Sequence, residues 1–270
     1  AADRVDVTAA TTVMGEITSE GRLMSQQGEV LAKFRQRFQA WRGCRVLRLH
    51  VELEPLIELA ADPWRSYCAC RFAWATDGAL IWRGVNQLRE RGESKQLEAP
   101  NYVEVDEGDR RTTILTGGIP YHRRTDARML DTLLIVKGES ARSFEMGIGV
   151  DLKYPMQEAM GLLAPVPTVH EVALPPSGSS SGWLFHIDSR NVMATSWEPI
   201  CMNGLTAGFR VRLLETAGRS AKAKLHCFRP IGSAVRLDFT RKNAGTCPIE
   251  DGVVSIALSS NEWTEIEVKW

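Results

Sequence analysis

The sequence predicts an all-β protein built from antiparallel sandwiches, and three observations carry that expectation. Apolar and polar residues alternate with period two through most of the 270-residue chain. Turn compositions rich in Gly, Pro, Asn and Asp separate the alternating runs. Only the segment 28–43 competes for a helix. Many short strands between turns, with hardly a helix among them, pack as paired sheets around shared cores.

Taken in order, "RVLRLHVELE" (45–54) puts Leu47, Leu49, Val51 and Leu53 on one face and Arg48, His50, Glu52 and Glu54 on the other. That is a strand with one dry and one wet face, ended by Pro55. Further short strands are expected at 70–74, 79–85, 110–116, 129–136 and 182–187. The last 60 residues read as strands near 209–215, 221–228, 234–240, 253–258 and 264–270, divided by "AGR", "RPIG", "KNAG" and "EDG". "GEVLAKFRQRFQAWRG" (28–43) fits two patterns: Val30, Leu31, Phe34, Phe38 and Trp41 recur at helical spacing, while Ala32, Phe34, Phe38 and Ala40 keep step as a strand. "PPSGSSSG" (175–182) reads as a linker or a long surface loop.

A chain of this length buries roughly three quarters of its unfolded surface, enough for one large or two modest domains. Basic and acidic residues balance at 33 each, which gives no electrostatic ground for a nucleic-acid or anionic-membrane partner. No apolar run approaches the 18 or so residues of a membrane helix. The first residues have neither an initiator Met nor a signal-peptide core, and the chain reads as a piece of something longer. Six scattered cysteines (44, 68, 70, 201, 227, 247) lack a second pair at zinc-finger spacing, so they read as buried, reduced thiols in a cytoplasmic setting. In C-x-C, Cys68 and Cys70 share a strand face.

Chemistry is sparse. His50, His170 and His226 sit on polar strand faces, and His186 in "WLFHID" reads as a half-buried, satisfied side chain. "TGGIPYHRR" (116–124) differs, because two glycines and a proline imply a shaped loop carrying Tyr121, His122, Arg123 and Arg124 together. Arginine forks match pairs of ligand oxygens and a Tyr ring stacks on a sugar face, so the loop suits a polyhydroxylated or anionic ligand. A solvated turn with a structural Tyr is the plainer alternative. Asp126, Asp131, Glu139, Asp151 and Asp188 show no spacing that selects an acid/base pair, and the serines at 179–181 lack a nucleophile elbow. The tryptophans of "DPWRSYCACRFAW" (62–74) read as core residues, with an exposed sugar-stacking platform as the sharper alternative.

The ordered series "DPWRSYCACRFAW", "EAPNYVEV" (98–105), "TTILTGGIPYHRR" (112–124), "MLDTLLIVKGE" (129–139) and "GFRVRLLETAGRSAKAKLHCFRP" (208–230) resembles the C-terminal half of glycoside hydrolase family 38 α-mannosidases from about residue 16 onward. The resemblance implies a large mutarotase-like β-sandwich (1–190) followed by a smaller C-terminal β-sandwich (191–270), with the boundary between 175 and 205. It also settles 28–43 in favour of strands. In that family the nucleophilic Asp and the His/Asp zinc ligands lie in an N-terminal barrel and the segment after it. The resemblance covers no such barrel, and the one H-x-D triplet present, His186-Ile187-Asp188, falls at the short strand expected at 182–187. The implied role is therefore a non-catalytic portion, inactive alone, with zinc confined to the missing catalytic domain. Its implied partners are that N-terminal barrel of the same protein and a mannoside. Tyr121, His122 and Arg123 are the residues expected to meet the glycan; a family substrate-anchoring Arg falls near Lys137, where the surrounding pattern departs. A stand-alone carbohydrate-binding sandwich and a mutarotase-like hexose epimerase, the latter needing His122 or His186 beside a carboxylate, are the alternatives.

Overall fold

One-sided strands must pair their dry faces, and the computed structural model, which describes residues 2–164 and 182–270, does this twice. The chain divides into two units, Ala1–Pro165 and Val166–Trp270.

The first unit contains β1 (Ala2–Ala10), β2 (Met14–Met24), β3 (Val30–Trp41), β4 (Val46–Pro55), β5 (Cys68–Ala73), β6 (Leu80–Val85), β7 (Leu88–Arg91), β8 (Gln96–Glu98), β9 (Tyr102–Asp106), β10 (Arg111–Leu115), β11 (Tyr121–Asp126), β12 (Met129–Ile135), β13 (Ser143–Val150) and α1 (Pro155–Leu163). A nine-stranded antiparallel sheet, β1-β2-β3-β4-β13-β10-β9-β6-β7, packs its inner face on a four-stranded sheet, β5-β12-β11-β8. Leu49, Leu53 and Met146 from the large sheet share one cluster with Cys68, Leu134 and Ile135 from the small one. Ile81, Val103 and Ile114 meet Leu97 and Leu130 in a second.

Among the described residues, one hydrophobic cluster covers part of the other face of the large sheet. There α1 lays Met156 and Ala159 on Tyr102, Leu115 and Leu152. Gly149 permits this approach, since a Cβ there would collide with the Leu152 side chain. Elsewhere that face carries charge ladders, such as Arg35 with Glu20 at 3.2 Å.

The second unit contains β14 (Phe185–Ile187), β15 (Val192–Met202), β16 (Leu205–Glu215), β17 (Ala221–Cys227), β18 (Ser233–Leu237), β19 (Asn243–Thr246), β20 (Ile249–Glu250), β21 (Val253–Leu258) and β22 (Trp263–Lys269). Sheets β14-β17-β21-β20 and β15-β16-β22-β18-β19 close over Phe209, Val211, Leu213, Leu225, Val254, Ile256, Ile266 and Val268.

The all-β expectation holds, and 28–43 is strand β3, paired with β2 and β4. Four details differ from the sequence reading. The 190/191 boundary would detach β14 from the unit whose β17 it pairs with, residues 185–187 against 225–227, and the division falls at 165/166. Helix α1 went unpredicted because it is nine residues long and gains its place from packing rather than propensity. All six cysteines are free thiols, but Cys44 and Cys201 are exposed. His186 is exposed as well. Cys68 and Cys70 do share the inner face, where burial raises both thiol pKa values, that of Cys70 to about 12. His170 and residues 175–181 lie outside the described residues.

Leu213 is fully buried in the second core, whereas Leu205, eight residues earlier on the same strand β16, is 74% exposed. Leu213→Ala is expected to lower unfolding free energy by about 2–5 kcal/mol, and Leu205→Ala by under about 0.5 kcal/mol. Urea unfolding of both variants checks this; equal losses would contradict the assigned inner face.

Candidate functional site

The expected loop resolves into a turn and a strand. Gly117 and Gly118 adopt φ of +60° and +89°, and a Cβ on Gly117 would strike the Glu145 carbonyl, so the tight turn requires glycine there. Strand β11 begins at Tyr121, and its alternation separates the three expected residues. His122 points into the core, while Tyr121 and Arg123 point to the outer face of the four-stranded sheet.

His122 has no exposed surface. Its Nε2–H donates to the Ala99 carbonyl at 3.1 Å, which leaves Nδ1 to accept from the Thr132 hydroxyl at 3.0 Å. Burial pushes its pKa down to about 4, against the pull of the Ala99 and Ile119 carbonyls. A neutral imidazole with both nitrogens engaged has no group left for a glycan; its place is to tie β11 to β12 and to the chain entering β9.

On the outer face the register builds one cross-strand row, Arg71 (β5), Asp131 (β12), Arg123 (β11) and Gln96 (β8). Asp131 is its hub. Although its side chain is only 2% exposed, it accepts two bonds from Arg71, Nε at 2.6 Å and Nη2 at 2.8 Å, and a third from the Tyr67 hydroxyl at 2.9 Å. This fork-to-fork pairing fixes the guanidinium plane. Burial first, and the neighbouring Asp131 second, raise the Tyr67 pKa. Arg123 donates from Nη1 to the Trp64 carbonyl at 2.5 Å and lies 5.9 Å from the Tyr67 ring centre.

The segment ahead of β5 supplies the aromatic part. Asp62 accepts from the Trp64 amide at 3.0 Å and, through its carbonyl, from Ser66 at 3.0 Å, a turn that fixes Trp64 over the sheet. The Trp64 and Tyr121 rings meet edge to face, 5.9 Å apart at 76°. Tyr121 is half exposed and the Arg71 side chain is 56% exposed. The site thus offers two rigid rings beside a fixed guanidinium, which suits stacking and hydrogen bonding to a ligand. No nucleophile-and-base pair stands among them, since Asp131 is committed on both oxygens.

Sequence reasoning found Tyr121 and Arg123 and weighed Trp64 chiefly as core. It did not single out Tyr67 or Arg71, and it weighed Asp131 only among carboxylates that no spacing selects; the available signal was one carboxylate inside the apolar run "MLDTLLI". His50, read as solvated, has Nδ1 2.6 Å from Glu145 and Nε2 3.2 Å from Glu52, with the Ser143 hydroxyl at 3.4 Å. With Glu52 on Nε2, the ring bridges two carboxylates rather than activating Ser143. Lys137 pairs with Glu58 at 3.2 Å. Among the described residues no three His, Cys, Asp or Glu side chains are grouped to hold a metal ion. Among them too, no helix is long and apolar enough to cross a membrane.

No protein-family model matches the sequence, and no curated protein matches it. Solved structures do match the fold. An α-mannosidase from Enterococcus faecalis V583 superposes with a TM-score of 0.71 at 10% identity, covering 98% of this chain and 35% of its own. A glycosyl hydrolase family 38 protein from Enterococcus faecalis gives 0.69 at 11% identity, covering 98% and 36%. This chain thus shares the fold of about a third of the length of either protein.

His122 also sets a pH dependence. An unfolded His titrates near 6.5, so as pH falls the unfolded chain takes up a proton that folded His122, at about 4, refuses. Its contribution is full above pH ~6.5, is lost progressively down to about 4, and is level below. Urea unfolding at several pH values should show a shallower decline for His122→Gln than for the unsubstituted chain in this window; parallel declines would contradict the buried neutral ring.

Proposed function

We propose that the chain is the C-terminal, non-catalytic β-sandwich portion of a family 38 α-mannosidase, supporting the catalytic barrel and contributing to carbohydrate binding. The observation that carries this reading is the fold match over 98% of the chain to proteins nearly three times its length. The motif series of the sequence points the same way. In this reading Tyr121 and Arg123 face the glycan beside Trp64 and Arg71, and His122 holds the strand that presents them. The barrel on another segment supplies zinc and nucleophile.

A stand-alone carbohydrate-binding sandwich is the second reading, favoured by the fixed Trp64–Tyr121 ring pair at the surface. A mutarotase-like epimerase draws no support from the histidines it would need. His122 bonds Thr132 and Ala99, His186 faces His226 at 5.7 Å, and among the described residues neither pairs with a carboxylate.

Two measurements test the proposal. Incubation of this chain with an aryl α-mannoside and added zinc is expected to give no hydrolysis above buffer, and robust turnover would overturn the non-catalytic role. Calorimetry with mannose oligosaccharides is expected to show binding that Tyr121→Ala or Arg123→Ala weakens roughly tenfold, the loss of about 1.4 kcal/mol of stacking or hydrogen bonding. Unchanged affinity in both variants would remove the outer face from glycan contact.

A further inference from the structure

The second unit has an aromatic groove of its own. Strand β14 is three residues long and edge strand β15 eleven, and the core they share takes Phe185 and Ile187 from the first and Val192 and Ala194 from the second. Trp197 and Pro199 follow on β15, opposite Val211 and Phe209 of β16. With Leu184, Phe228, Arg229 and Trp270 they line a groove of about 610 Å³, inside the ~300–1,000 Å³ range of small-molecule sites.

The rings are held from within. Phe185 and Phe209 stack in the core at 5.2 Å, Trp270 lies 6.1 Å from Phe209, and Phe228 meets Trp270 edge to face at 5.7 Å. Trp270 Nε1–H donates to the Thr206 carbonyl at 3.3 Å and its amide to Ala207 at 3.2 Å. This fixes the ring plane before any ligand arrives, which reduces the ordering cost of binding. Across the groove Trp197 is 55% exposed and Phe228 47%. Large aromatic faces left open inside a concavity are unusual unless something covers them.

Arg229 decides the chemistry. Its guanidinium sits 5.3 Å from the Phe228 ring and 5.4 Å from Trp270. Among the described residues it forms no ion pair with an Asp or Glu side chain, and no Asp or Glu lines the groove. Five N–H donors in a planar fork therefore stand at the edge of an aromatic cleft. An all-apolar ligand would leave those donors unmatched, and a cation would be repelled. A pyranose satisfies both halves, with its C–H face on the rings and its adjacent oxygens on the fork.

We propose that Trp197, Phe228, Trp270 and Arg229 form a carbohydrate-binding groove in the C-terminal sandwich, separate from the outer face bearing Tyr121. Only the choice of mannose as first probe rests on the proposed function; the groove rests on its rings and its unmatched Arg.

Indole N–H resonances of the whole chain report on Trp197 and Trp270 directly. Titrations with α-linked mannotriose, cellotriose, β-1,4-galactotriose and trigalacturonate are expected to shift both signals for at least one sugar. Trp197→Ala and Arg229→Gln, both at exposed positions, should each weaken that binding about tenfold. If no sugar shifts these signals, or if both groove variants bind normally, the groove assignment is overturned. A mannotriose affinity lost in Tyr121→Ala but kept in Trp197→Ala sinks the groove and spares the proposed function. The reverse pattern keeps the groove and removes the role of the outer face.

Discussion

A sheet of nine strands cannot be covered by a sheet of four, and most features of the first unit follow from that mismatch. One cross-strand row displays it: Val7, Ile17, Phe38, Leu49 and Met146 are successive partners on the inner face. Exposure falls along the row from 69% at Val7 through 45% at Ile17 to 2% at Leu49 and none at Met146. The core is dry where the small sheet reaches and open where it does not. In the second unit β14 has three residues and β15 eleven, and Trp197 and Pro199 of β15 line the aromatic groove.

Period two then assigns the chemistry. A strand that faces a core on one side only has a second side free for polar groups, and the second side of the four-stranded sheet is where Arg71, Asp131 and Arg123 line up. Burying Asp131 without partners would cost several kcal/mol; two bonds from Arg71 and one from Tyr67 offset that cost and make the surface rigid. Rigidity is what a ring platform such as Trp64 with Tyr121 needs to recognise a ligand without paying heavily in lost motion.

Where one face is wet, the alternation is readable, and β4, β16, β17, β21 and β22 fall within a few residues of their expected places. Where both faces are dry the pattern fades: β9 holds Tyr102 and Val103 on opposite sides because α1 covers the outer one. Strand β3 was ambiguous because Phe34 and Phe38 are four apart, a spacing common to both periods, and pairing with β2 and β4 decides it. The candidate site was half legible. Tyr121 and Arg123 could be named from composition, but their separation from His122 required knowing that 121–124 is strand rather than loop. Asp131 and Arg71 were invisible as a pair because they are 60 residues apart and meet only through the β5–β12 register. The groove of the second unit gave no sequence signal, since Trp197, Phe228 and Trp270 converge only when the sheets close.

The proposal that this fold serves a family 38 catalytic barrel carried elsewhere on the same protein is tested most directly by sequencing the reading frame on the 5′ side of the Ala1 codon. The account predicts a continuous frame encoding an α/β barrel with an H-x-D zinc motif. An in-frame stop codon shortly upstream, with no barrel-coding segment before it, would contradict it.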